Sequence, residues 1–156
     1  MHAQLISNVV IALATTFLGP PFCAASVNCL VTNPNQKGPH SSANSFGNGK
    51  LSTTLSPKGE IVFLPSGPGM IREDGSLIMK FWWHRAIPGE LTIEGRRLDA
   101  PGPPLRANIP KGYGPTGFQA SELIFPTTGC WQITGRAGDS TLTFTTSVVN
   151  NSKANR

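Results

Sequence analysis

PTTGCWQITGRAGDSTLTF, residues Pro126 to Phe144, sets a cysteine beside a tryptophan where a turn enters an alternating segment. Trp131 and Ile133 lie two apart, a turn follows at GRAGDS, and Leu142, Phe144, Thr146 and Val148 then alternate with polar neighbours. A period of two on both sides of a glycine-containing turn predicts two paired strands, each with one apolar face. The cysteine raises a chemical question, because Cys130 could be a nucleophile, a metal ligand or a disulfide partner.

The N-terminus bears on that question. LISNVVIALATTFLGPPFCAAS is an apolar run followed by small residues, and Gly19, Pro20 and Pro21 end it. The run from Leu5 to Leu18 is long enough for a signal-peptide core and too short for a bilayer of roughly 30 Å. Residues 1–25 are therefore expected to be a signal peptide, cut after Ala25 or next best after Ser26, with the protein secreted or periplasmic and no integral membrane segment in its mature chain. Of the three cysteines, Cys23 leaves with this peptide, and Cys29 and Cys130 remain. Two thiols at opposite ends of an exported domain predict a disulfide. A catalytic thiol would need a base beside it, whereas the neighbours are Gly129, Trp131 and Gln132. No C-x-x-C or H-x-x-x-H spacing supports zinc, and no other metal or cofactor is called for.

The chain of 156 residues allows one domain, and Gly (17) and Pro (14) make up about a fifth of it without a period, which favours short strands joined by turns. About eight strands are expected. Lys50–Leu55 and Glu60–Leu64 flank SPKG and read as a hairpin. GSLIMKFWWHR puts Leu77, Met79, Phe81 and Trp83 on a core face and Ile78, Lys80, Trp82 and His84 on the other. GELTIEGRRL, PPLRANIP, SELIFP, GCWQITGRA and STLTFTTSV supply the rest, with turns such as PKGYGPTG between. The expected organisation is an extended N-terminal segment or linker over 26–49, an all-β sandwich over 50–149 and a disordered tail over 150–156.

The closing segment resembles the last strand pair of bacterial immunoglobulin-like domains, with Phe125, Gly129, Trp131 and Ile133 in their pattern. That resemblance implies an immunoglobulin-like β-sandwich, with Trp131 in the core and Cys130 turned outward, so that a bridge to Cys29 tacks the N-terminal segment across the outside of a sheet. The motifs GRRLDA, GYG-x-TGFQ and FPT-x-GCW, with Cys29 in CLVTNPN, further resemble a family of uncharacterised secreted bacterial proteins. The resemblance brings no activity with it. The family has Glu at Gln132 and His at Phe46, so nothing is carried over at those positions.

Surface chemistry is sparse. The formal net charge is +5 at pH 7, but the thirteen Lys and Arg are scattered, which argues against nucleic acid. If Arg85, Arg96 and Arg106 converge, an anionic partner such as a cell-wall polymer or lipid head groups is implied. Trp82 points outward beside Lys80 and His84, with Arg85 at the strand end, and so offers a stacking platform for a sugar, a peptide or a cation. Alternatively, the loop containing Tyr113 and Phe118, or the N-terminal segment, covers Trp82 as a second small core. Trp82, His84, Arg85 and Tyr113 are the candidate ligand-binding residues, and an envelope glycan, an anionic wall polymer or an envelope protein the candidate partner.

No catalytic residue is assigned. His40 lies in the low-complexity NQKGPHSSANSFGNG, read as a mobile linker. Among the candidate carboxylates Glu90, Glu94 and Asp99, the first two are four residues apart on a strand, hence ~13 Å, beyond glycosidase spacing. Met70, Met79 and His84 offer soft ligands for copper, against which Met79 reads as core and Met70 as a turn residue. The expected role is non-enzymatic binding or a structural function at the cell envelope, with a carbohydrate- or small-ligand-binding module as alternative and a small secreted enzyme third. N-terminal sequencing of the exported protein should begin at Ser26 or Val27, and a retained Met1 on the exported form would refute the signal-peptide reading.

Overall fold

A computed structural model describes residues 28–38 and 42–151. The expected signal peptide over 1–25, His40 and residues 152–156 lie outside the described residues. Among those described there are ten strands and no α-helix: β1 (Ser45–Gly47), β2 (Leu51–Thr54), β3 (Glu60–Phe63), β4 (Met70–Ile71), β5 (Leu77–Arg85), β6 (Thr92–Arg97), β7 (Arg106–Asn108), β8 (Gly117–Phe125), β9 (Gly129–Ala137) and β10 (Ser140–Asn150). One sheet runs β1-β2-β5-β8-β7, with β4 also paired to β5, and the other runs β3-β10-β9-β6.

The opening stretch becomes the β9–β10 hairpin, in antiparallel register from Ser140↔Ala137 to Val148↔Gly129. Gly138, at φ 54°, makes the tight turn that a side chain would strain. Trp131 and Ile133 from β9 and Leu142, Phe144 and Val148 from β10 are all buried. Opposite them, β5 and β8 bury Leu77, Phe81, Trp83, Leu123 and Phe125, as the alternation of LIMKFWWHR predicts. Phe144 is the meeting point, with Phe81 stacked at 6.0 Å and Trp83 tilted at 6.1 Å. Trp83 also lies directly over Gly135, where a Cβ would come within 2.5 Å of its ring. Both core indoles are satisfied: Trp83 Nε1 donates to Ser121 Oγ at 3.1 Å, and Trp131 Nε1 to the Thr127 carbonyl at 3.1 Å.

Four expectations need correction. The segments around SPKG do not pair with each other, because β2 pairs with β1 and β5 whereas β3 joins β10 in parallel through Ser147↔Glu60. Pro57 to Gly59 form a 3-10 turn with Lys58 at φ 58°, and this turn carries the chain from one sheet to the other. The sandwich also takes in part of the 26–49 segment, since β1 pairs with β2 through Phe46↔Thr53. At the other end Asn150 completes β10 and the Asn151 amide donates to Phe63 O, so the ordered chain runs past 149. Finally, Phe118 is a strand residue, because β8 begins at Gly117 rather than at SELIFP.

The N-terminal segment is a strap. The Cys29–Cys130 disulfide joins residues 101 apart in sequence, with Cα atoms 5.4 Å apart. Cys130 pairs with Ser147 on the outward side of β9, yet is buried beneath this segment. Thr32 donates its amide to Thr145 O and accepts the Thr145 amide on its hydroxyl, both at 2.9 Å, on the β3 side of β10. Val31 fills the space where a Cβ on Gly59 would lie. Asn35 then grips Gly47 through both side-chain atoms, at 2.8 Å and 3.0 Å, and Gly38 rests on Ser52. Residues 29–38 thus pass from the outside of one sheet, around the sandwich edge, to the outside of the other.

Because Trp131 is fully buried, Trp131→Ala should cost about 3–5 kcal/mol in urea unfolding, as large aromatic truncations in cores do. A loss under about 1 kcal/mol would contradict this register.

Candidate functional site

The outward face of β5 and β8 carries an aromatic shelf. In their antiparallel register His84 faces Phe118 and Trp82 faces Ala120, which makes Trp82 and Phe118 diagonal neighbours within reach of each other. Their rings stack at 5.6 Å and 29°. His84 meets the same phenyl ring edge-on at 5.6 Å, and Tyr113, from the loop before β8, does so at 5.9 Å. Phe118 is the hub, and the candidate residues Trp82, His84 and Tyr113 are brought together around it. The side chains remain open: Trp82 is 44% exposed, Phe118 43% and Tyr113 37%. The 109–116 loop therefore flanks Trp82 without closing over it. Phe118 was not among the expected site residues; the signal for it was Gly-Phe-Gln-Ala-Ser-Glu, which continues the alternation of SELIFP back to Gly117.

Arg85 does not belong to this shelf. It shares the parity of Phe81 and Trp83, so it points inward at the end of the sandwich and is only 4% exposed. Its Nη1 donates to Gly89 O at 2.5 Å and its Nη2 to Gly114 O at 2.6 Å, which ties the 86–91 and 109–116 loops to the strand end. A cleft of about 420 Å³ opens beside it, lined also by Glu90, Leu91, Lys111, Tyr113 and Gln119. Tyr113 belongs to both features. The three arginines do not converge: Arg96 lies on β6 and donates to Gln132 Oε1, whereas Arg106 lies on β7 in the other sheet.

The remaining candidates disperse. Met79 packs against the core on the inward side of β5, opposite to His84, and Met70 is exposed on β4, so they form no common ligand set. No group of three His, Cys, Asp or Glu is placed to hold a metal among the described residues. Glu94 is engaged by Arg136 at 2.6 Å. Phe46 meets Phe144 edge-on in the core at 6.4 Å. Asp99 receives Arg97 in a forked pair, Nε to Oδ1 at 2.7 Å and Nη2 to Oδ2 at 3.3 Å, and Arg97 also reaches Thr127. This pair sits where a Cβ on Gly129 would fall, and Leu98 N bonds to Cys130 O. It braces GRRLDA against FPTTGCW.

No family model, curated protein or solved structure matches the chain. No helix is long and apolar enough to cross a membrane among the described residues.

The forked Arg97 hydrogen bonds, with the Cys130 amide, hold the Asp99 carboxyl below its ordinary value of 3.8. A depressed carboxylate stabilises the fold above its unfolded value, and that contribution is lost as pH falls through the folded one. Asp99→Asn should therefore cost about 1 kcal/mol at neutral pH, and its deficit should shrink as pH drops below 3.8. A deficit independent of pH in urea titrations would contradict the ion-pair account.

Proposed function

We propose that this protein is a secreted, non-enzymatic binding module of the cell envelope, built as an immunoglobulin-like sandwich, whose ligand is a glycan held on the Trp82–Phe118–Tyr113 shelf. The observation that carries the reading is the exposure of three aromatic rings that already touch one another on rigid strands. An exposed aromatic cluster contributes little to stability while presenting flat apolar faces with polar edges, the arrangement that stacks on sugar rings. Support from β5 and β8 holds Trp82 and Phe118 in place before a ligand arrives, which lowers the ordering cost of binding. Tyr113 adds a phenolic hydroxyl at the margin for sugar hydroxyl groups. Extracytoplasmic location is supported by the apolar N-terminal run and by the disulfide.

Trp82→Ala tests the reading. The substitution should abolish retention on soluble envelope glycan while lowering stability by only about 1 kcal/mol, the worth of one aromatic pair on an open face. Loss of more than about 2 kcal/mol with glycan binding unaffected would assign Trp82 to packing instead.

A further inference from the structure

Arg85 presents a physical anomaly that its bracing role does not exhaust. The side chain is 4% exposed, yet no carboxylate pairs with it among the described residues. Two of its N–H groups meet backbone carbonyls, and Nε is buried without any hydrogen-bond partner. A buried cation with no counter-charge is costly, because carbonyl dipoles replace only part of the lost hydration. The same guanidinium lines the cleft of about 420 Å³ that Lys111 and Tyr113 share, a size within the ~300–1,000 Å³ usual for small-ligand sites. Glu90 stands on the same wall but forms no ion pair with Arg85. One cation buried and one exposed, at Lys111, outnumber that carboxylate, so the cleft favours an anion.

Tyr113 connects this cleft to the shelf. It lines the cleft and also touches Phe118, which in turn stacks on Trp82. We propose that cleft and shelf form one site for an acidic sugar, with the pyranose ring against the aromatic rings and its carboxylate directed into the cleft toward Arg85 and Lys111. This deepens the glycan-binding reading and rests on it. The ligand class is narrowed from glycans in general to those carrying a carboxylate on the ring or on a short substituent. The Nη protons that Arg85 does not spend on Gly89 and Gly114 are charge-assisted donors for a carboxylate, and Lys111 supplies a mobile point charge at the mouth. Because Arg85 is held by Gly89 and Gly114, its orientation is set before binding.

The test uses the disulfide-bonded protein, labelled with nitrogen-15, and follows two side-chain signals: the Arg85 Nε–H and the Trp82 indole N–H. Glucuronate and its methyl ester are titrated in millimolar excess at matched ionic strength, so that the two probes differ in charge but share a ring. The acid is expected to shift Arg85 Nε–H, the Lys111–Gly114 amides and the Trp82 indole together, whereas the ester shifts the Trp82 indole alone. Equal responses of Trp82 to both probes, with none at Arg85, overturn the carboxylate subsite and leave the shelf reading intact. A response at Arg85 with none at Trp82 overturns the shelf reading and the joint site with it. Silence at both residues overturns both. Lys111 is exposed, so Lys111→Glu keeps the fold; it should weaken the acid about tenfold and leave the ester unchanged. Unaltered acid affinity in that variant also overturns the proposal.

Discussion

The contact of Trp83 with Gly135 and Phe144 sets the geometry on which the rest of the molecule depends. Gly135 lets an indole lie flat against the backbone of the facing sheet, and a Cβ there would come within 2.5 Å of the ring. With that ring seated between the sheets, the parity of β5 is fixed, since a shift of one residue would put Trp82 and His84 inside. The parity of β8 follows from its register with β5, which leaves Phe118 on the outer face beside Trp82. The exposed aromatic shelf is thus a direct consequence of which tryptophan of the Trp82–Trp83 pair the core takes.

A second constraint acts at the sandwich edges. An unpaired strand edge is a template for association, and the strap covers one edge on each sheet. Thr32 bonds to β10 beyond the end of β3, while Asn35 and Gln36 bond to β1. The disulfide anchors this strap where no core contact could, because Cys130 faces outward. Closing a loop of about 100 residues is worth ~4.7 kcal/mol in the chain-entropy picture, comparable to the whole stability of a small domain. Gly59, at φ 68°, accommodates both the turn and Val31, so the crossover and the strap depend on the same residue.

The two ends of the candidate site illustrate different physics. Trp82 and Phe118 are placed by strand register. Arg85 is placed by burial and is used first as a brace between two loops, with its charge left uncompensated. Loops that carry Lys111 and Tyr113 are held in position by that brace and by Gln119 Nε2 donating to Pro110 O. A structural arginine and an open aromatic surface therefore share one wall, Tyr113.

The sequence by itself determined what depends on local alternation and on redox arithmetic. It placed Trp131, Trp83, Phe81 and Phe144 inside, turned Trp82 outward, paired Cys29 with Cys130 and marked the chain as all-β, because a period of two and a count of thiols need no knowledge of distant partners. Only the tertiary structure decided which strands pair. SPKG reads as a hairpin turn, yet β3 leaves for β10, whose free edge is presented by residues some ninety positions later, and no local signal encodes that meeting. The same holds for β1, whose three residues become a strand through pairing with β2 and through Asn35 at its ends. Arg85 was misplaced for a related reason. Charge argues for the surface, but strand parity and two loop carbonyls argue for the interior, and the carbonyls of Gly89 and Gly114 come together only in the folded chain.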